Sequence, residues 1–368
     1  MTGVSEGTQA APGIVPDHAL EDVRERLRRF RAVRTVDAPP WQLGVDGGWL
    51  AGLLRHWAEE YDWRRREDEL RRRPWALVDG DVPLRLLHHR VGPDAPTVLL
   101  LHGWPDSVLR FDRVVPLLSE YNLVIPALPG FPFAAPVPTG GLRAKDIGAV
   151  VGSAVAALGY RGYVVSAGDV GTDVAEGLLE AHPGSVAALH FTDVSQYHFL
   201  HGLPDDLTPE ELAYVEHGRA WQAAEGGYMH EQGTKPATIA AALGDSPAGL
   251  AAWIGEKLRS WTDCDGDLAT VFDLDDAVTW IAAYWHSASI GTSFTPYAVA
   301  SPKPAGRVEL PTVFTVFPKD LVNAPRSFAD RFFDVREFRT HEHGGHFAAW
   351  ERPHDYAGGV AAAIAHAR

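Results

Sequence analysis

The chain of 368 residues is short of several things. It has one cysteine, Cys264, so no intramolecular disulfide can form and a cysteine-rich metal site is excluded. No run approaches 18 apolar residues, so no segment reads as a membrane span. The opening MTGVSEGTQAAPGIVP lacks a basic region followed by an apolar stretch and does not read as a signal peptide. Basic charge is also short: 33 Lys and Arg against 48 Asp and Glu leave a net −15. Phosphate backbones and anionic lipid surfaces repel such a chain, so neither nucleic acid nor membrane is an expected partner. A soluble, cytoplasmic protein is expected. Few lysines beside abundant Ala, Gly, Arg and Pro give the texture of a high-GC bacterial product.

What is present is a globular composition. Hydrophobic residues at 46% and charged residues at 22% exclude wholesale disorder. The length suggests about two domains, or one large domain carrying an insertion. Residues 1–16 read as a flexible tail. Residues 17–80 read as a helical arm, with Leu20, Val23, Leu27 and Phe30 at helical spacing, then Leu50, Leu53, Leu54 and Trp57. Trp41, Trp49, Trp57, Trp63 and Trp75 crowd this arm and read as packing anchors. Arg64 to Arg66 and Arg71 to Arg73, separated by acidic residues, read as a solvated helix face.

From residue 81 the texture changes. Val82 to His89 reads as a strand. Short apolar runs at Thr97–Leu101, Leu123–Leu128 and Tyr163–Val165 each end in turn residues, as buried parallel strands do. An Ala/Val-rich helix, Ile147–Leu158, lies between the last two. This alternation predicts an α/β fold with an open, mostly parallel sheet over 81–195. Residues 196–298 then read as a helical lid, and strands return at Pro311–Phe317 and Val335–Phe338 in a second core segment, 299–368.

The chemistry centres on Ala167-Gly168-Asp169-Val170-Gly171, placed where a buried strand turns into a helix. The small residues at 167 and 171 fit a nucleophile elbow, with Asp169 in the nucleophile position. Taken alone, Asp169 reads as a cap of the following helix, and the nucleophile reading needs partners. Three further features supply partners: Asp320 after the 311–317 strand, His346 in His343-Gly344-Gly345-His346-Phe347, and His102-Gly103-Trp104-Pro105 after the first core strand. The order Asp169, Asp320, His346 is that of nucleophile, acid and base in elbow hydrolases. The backbone N–H groups of Trp104 and Val170 are candidates for an oxyanion hole, with His102, Gly103 and Pro105 shaping the loop.

These residues carry a family resemblance. The chain resembles the α/β-hydrolase epoxide hydrolases, in particular the microsomal and juvenile-hormone branch. The carriers are Trp41-Gln42-Leu43-Gly44-Val45, Tyr61-Asp62-Trp63-Arg64, His102-Gly103-Trp104-Pro105-Asp106-Ser107, Gly227-Tyr228-Met229-His230-Glu231-Gln232-Gly233, Asp245-Ser246-Pro247-Ala248-Gly249 and Gly344-Gly345-His346-Phe347. The resemblance runs from about residue 17 to the end. It implies an α/β-hydrolase core with an inserted helical lid and an N-terminal helical arm. It also implies a pair of tyrosines that hold the epoxide oxygen: Tyr228, and Tyr297 with Tyr284 as the alternative. The branch usually carries Trp after the nucleophile, where this chain has Val170, a change that should reshape the pocket. The animal enzymes' membrane anchor has no counterpart in this reading.

An epoxide suits a carboxylate nucleophile. Serine attack would leave an ether that water does not readily cleave, whereas Asp169 would leave an ester that water hydrolyses. The carboxylate is also ionised at neutral pH without a base. The expected partners are a small-molecule epoxide, bulky and hydrophobic or aryl, and water, with a homodimer left open. No cofactor is expected, since no G-x-G-x-x-G follows a strand. No metal is expected either: His341-Glu342-His343-Gly344-Gly345-His346 is not His-Glu-x-x-His, because 345 is glycine. Competing readings are a haloalkane dehalogenase using the same Asp and a non-catalytic binding protein. Asp193 is an alternative triad acid, and Asp173 reads as a helix-face charge.

Overall fold

The computed structural model describes residues 3–137, 141–200, 202–299 and 306–367. Nine strands form one sheet: β1 (Val4–Glu6), β2 (Trp75–Val78), β3 (Leu84–His89), β4 (Thr97–Leu101), β5 (Asn122–Pro126), β6 (Tyr163–Ala167), β7 (Val186–Phe191), β8 (Val308–Val316) and β9 (Phe333–Thr340). Their order is β1-β2-β3-β5-β4-β6-β7-β8-β9. Strands β4 to β9 run parallel, and β1, β2 and β3 add an antiparallel edge. The apolar runs explain the arrangement. All five residues of β4, β5 and β6 are buried, which requires cover on both faces. Helices Ala144–Ala157, Val170–Ala181 and Pro353–His366 supply much of that cover through buried apolar stripes. This is the α/β-hydrolase fold, and its loops converge at the C-terminal ends of the parallel strands.

Between β7 and β8 the chain leaves the sheet for a helical lid. Its main helices are Pro209–Glu225, Gly227–Thr234, Pro236–Asp245, Pro247–Ser260 and Leu274–Ser287. The N-terminal arm (Asp17–Arg28, Gly47–Glu59, Trp63–Arg71) straps lid to core. Tyr61 and Thr279 hydroxyls meet at 2.8 Å, His56 meets Asp275 at 2.7 Å, and Arg73 forms a two-pronged pair with Asp112 of the core. No helix among the described residues is long and apolar enough to cross a membrane.

Several expectations need correction. Residues 3–16 are not a loose tail: β1 pairs with β2, Ala10 and Ala11 are buried, and Val15 N–H donates to Glu67 Oε1 at 2.7 Å. Main-chain hydrogen bonds to a sheet edge hold this segment, and they need no apolar periodicity. The first arm helix stops at Arg28, so Phe30 falls outside the buried stripe and is exposed. The arginine runs are only partly a solvated face, because Arg64, Arg66, Arg71 and Arg73 tie the arm to other segments.

Candidate active site

Four strand ends and two lid helices build the site. After β4 the chain enters the loop of His102 to Ser107. Burial pushes His102 down to about 4, so it is neutral, and its Nε2 accepts from Leu128 N–H at 3.2 Å. The lid clamps this loop: Trp280 Nε1 donates to Pro105 O at 2.7 Å and Tyr284 Oη to Asp106 O at 2.9 Å. Tyr284 therefore has its hydroxyl committed to the loop.

After β6 the chain turns sharply at Asp169, whose φ of +56° is a strained value for a residue with a side chain. Two glycines permit it. A Cβ on Gly171 would lie 2.7 Å from Leu101 O, and one on Gly103 would strike the Asp169 carboxylate. The Asp169 N–H donates to Asp193 Oδ1 at 2.9 Å, and Thr172 Oγ1 donates to the same oxygen at 3.2 Å. Trp104 N–H donates to Asp169 Oδ1 at 2.7 Å, and Val170 N–H also bonds the carboxylate. Both N–H groups expected as oxyanion donors thus touch the Asp169 carboxylate.

The other oxygen, Oδ2, lies 3.7 Å from His346 Nε2. His346 Nδ1 meets Asp320 Oδ1 at 2.8 Å. Asp169, His346 and Asp320 form one chain of contacts, and Asp193 stands outside it as the acceptor for the elbow. Burial pushes the Asp169 carboxyl up, against the His346 charge and the two N–H groups. Burial also opposes ionisation of Asp320, but His346 outweighs it and holds that carboxyl below its ordinary range. The same burial would lower His346, yet the charges of Asp320 and Asp169 push it up to about 9.

Above this floor sits an aromatic ceiling from the loop and lid. Trp104 stacks on Tyr228 at 5.3 Å and 7°, and Tyr297 meets both edge-on at 6.0 Å. Burial and the Asp169 charge push both tyrosine hydroxyls well above their ordinary range, so both stay protonated donors. Among the described residues, Tyr297 Oη and His346 Nε2 have no hydrogen-bond partner. Each faces the small cavity, about 50 Å³, that also opens onto Asp169 and Tyr228.

Sequence reasoning missed several supports. Arg110, buried and paired with Asp106, donates to His346 O at 2.6 Å. Glu351 accepts the N–H groups of Gly345, Phe347 and Asp263 and staples the histidine loop. Trp261 O accepts His346 N–H at 2.8 Å, and its indole lies 5.2 Å from the imidazole. Spacing offers two hints, Asp106 to Arg110 and Phe347 to Glu351, each at i,i+4; the bonds to Asp263, Trp261 and His346 O are long-range contacts. Asp173 also departs from expectation. It lines the candidate cavity, half-buried, and accepts from Ser195 Oγ at 2.7 Å, because the elbow helix turns this position toward the site.

Comparisons with known proteins agree with this geometry. Residues 12–111 match the family model for the epoxide hydrolase N terminus, and 96–215 match the α/β-hydrolase fold. A Stigmatella aurantiaca protein that carries an epoxide hydrolase name is 33% identical over 92% of this chain and 80% of its own. The chain belongs to the epoxide hydrolases. It falls in their microsomal and juvenile-hormone branch. The crystal structure of juvenile hormone epoxide hydrolase from the silkworm Bombyx mori superposes with a TM-score of 0.87 at 26% identity, covering 100% of this chain and 95% of that one. The Aspergillus niger epoxide hydrolase superposes with a TM-score of 0.83 at 26% identity, covering 98% of both chains. The chain is accordingly an enzyme of the epoxide hydrolase class, whose members act with water on an epoxide.

Proposed function

We propose that this hydrolase opens its epoxide through a covalent ester on Asp169. The observation that carries the reading is the split environment of the two carboxylate oxygens. Oδ1 accepts the Trp104 N–H, the Val170 N–H also bonds the carboxylate, and Oδ2 lies 3.7 Å from His346 Nε2 beside the cavity. Oδ2 attacks an epoxide carbon, the C–O bond breaks, and the departing oxygen takes a proton from the Tyr228 and Tyr297 pair. Asp169 is now neutral, so the pull that holds the proton on His346 weakens, and that proton passes by way of solvent to the tyrosinate, which leaves His346 neutral. His346, oriented by Asp320, then takes a proton from water as that water attacks Cγ of the ester. Negative charge develops on Oδ1, which the Trp104 N–H already holds and to which the Val170 N–H can also donate, a contribution typically worth about 3 kcal/mol per donor. The bond from Cγ to Oδ2 breaks, Oδ2 takes the proton of the water-derived hydroxyl on Cγ, and the vicinal diol leaves with Oδ2, restoring the Asp169 carboxylate and the protonated His346.

The substrate we propose is bulky and hydrophobic or aryl. The cavity at the nucleophile holds little beyond the reacting carbons. A wider trough of about 930 Å³ shares Tyr228, Asp320 and Leu321 with it and is walled by Trp41, Trp221 and Trp253. An aryl body fits such walls. The test is mass spectrometry of the His346→Gln variant mixed with styrene oxide. The expected result is a stoichiometric adduct of the epoxide's mass on the peptide containing Asp169. Diol formation by the wild type with no adduct in the variant overturns the covalent route.

A further inference from the structure

A second cavity, of about 440 Å³, lies apart from the catalytic one and shares no lining residue with it. It is enclosed by residues 12–19, helix Trp63–Arg71, strand β3, the loop at 133–136 and the last turn of helix Leu274–Ser287. That volume suits a small organic molecule. The wall is largely apolar: Ile14, Val15, Trp63, Leu70, Phe133 and Trp285. Ile14 is 63% exposed, an unusual state for isoleucine, so the wall has apolar surface to offer.

Two guanidinium groups line the same space. Arg85 donates to the carbonyls of Ala10, Phe133 and Ala134 at 2.8 to 2.9 Å, and Arg71 donates to Pro12 O. Carbonyls satisfy their hydrogen bonds but carry no opposing charge. Among the described residues, neither arginine has a carboxylate within ion-pair distance, unlike most arginines of the arm. The two also repel: burial first, and then the Arg71 charge, lower Arg85. The lining carboxylate, Glu67, is occupied by Val15 N–H, Trp63 Nε1 and Arg64. His286 also lines the space. Burial pushes it down to about 3, so it is neutral, and its Nε2 has no partner among the described residues.

We propose that this cavity binds an amphipathic carboxylate, its head between Arg71 and Arg85 and its hydrocarbon or aryl body against Trp63, Phe133 and Trp285. One anion relieves the repulsion of two half-buried cations, and the apolar wall selects a carrier over a bare ion. The occupant bridges the N-terminal segment to the helix whose Trp280 and Tyr284 hold the loop of Trp104.

Isothermal titration calorimetry on the full chain tests this without reference to turnover, so its outcome is separate from the catalytic reading. Decanoate is the probe, decanol the neutral control, and inorganic phosphate the head-only control. Charge-assisted hydrogen bonds predict that decanoate binds about tenfold or more tightly than decanol, with no detectable phosphate binding. Arg71→Met and Arg85→Met should each erase the preference for decanoate over decanol. Ala283→Phe, which fills the cavity, should weaken both ligands together. Arg85 also anchors backbone, so Arg71→Met, which gives up one bond to Pro12 O, keeps the test alive if Arg85→Met does not fold. The proposal is overturned if decanol binds as well as decanoate, if phosphate binds as tightly as decanoate, or if folded Arg71→Met keeps the preference.

Discussion

The groups on the floor and in the ceiling of the candidate cavity are all desolvated by burial, and burial has opposite consequences in them. On the floor, Asp169, Asp193 and Asp320 come from strand ends, and desolvation penalises their charge. In the ceiling, Tyr228 and Tyr297 come from the lid, and desolvation protects the proton each would donate. The ceiling needs only to be buried to be ready. The floor needs specific partners to stay ionised: His346 for Asp320, and His346 with the Trp104 and Val170 N–H groups for Asp169. The sheet's rigid strand ends therefore carry the groups whose charge must be defended, and the inserted lid carries those that burial alone prepares.

Substitutions can break this contrast. The largest effect belongs to Asp169→Asn, which should lower kcat by about 10⁴-fold or more and abolish adduct formation. Next, Tyr228→Phe and Tyr297→Phe should each cost about 10²-fold in the alkylation rate, measured by stopped-flow tryptophan fluorescence, and leave ester hydrolysis nearly untouched. A similar loss in both half-reactions would mean the ceiling does more than donate. Asp193 separates the two roles of a floor carboxylate. Asp193→Asn keeps an acceptor for the Asp169 N–H and should retain activity within a few fold, whereas Asp193→Ala orphans that buried donor at about 1–3 kcal/mol. Asp320→Asn should be far worse than Asp193→Asn; the reverse order would make Asp193 the partner of His346.

The smallest effect is on stability. Folding raises His346 from 6.5 to about 9, so the folded state binds its proton more tightly than the unfolded state. That contribution is fully present below pH 6.5 and is lost as pH rises through about 9. The melting temperature of the wild type should therefore fall across this window, and that of His346→Gln should fall less.

Much of this contrast was legible in the sequence, for identifiable reasons. Fully apolar five-residue runs mark β4, β5 and β6, and the residues that follow each run are the loops of the site. The elbow is legible because its turn tolerates only small neighbours. The supports were largely not legible: Arg110 reaches His346 O across 236 residues, and Trp261 O and the Asp263 N–H meet the histidine loop from the lid, contacts that no local pattern encodes. Asp173 misled because a charge in the first turn of a helix usually faces water, and here that water-facing side is the cavity. The helix Gly227–Thr234 carries Tyr228 but begins and nearly ends in glycine, so propensity alone would not draw it.

The central claim is that an Asp169 ester precedes the diol. A single turnover with enzyme in excess, in water enriched in oxygen-18, tests it most directly by mass spectrometry of both diol and peptide. The account predicts an unlabelled diol and one heavy oxygen in the Asp169 carboxylate, because water attacks Cγ and the diol leaves with Oδ2. A labelled diol from the first turnover beside an unlabelled Asp169 would contradict it.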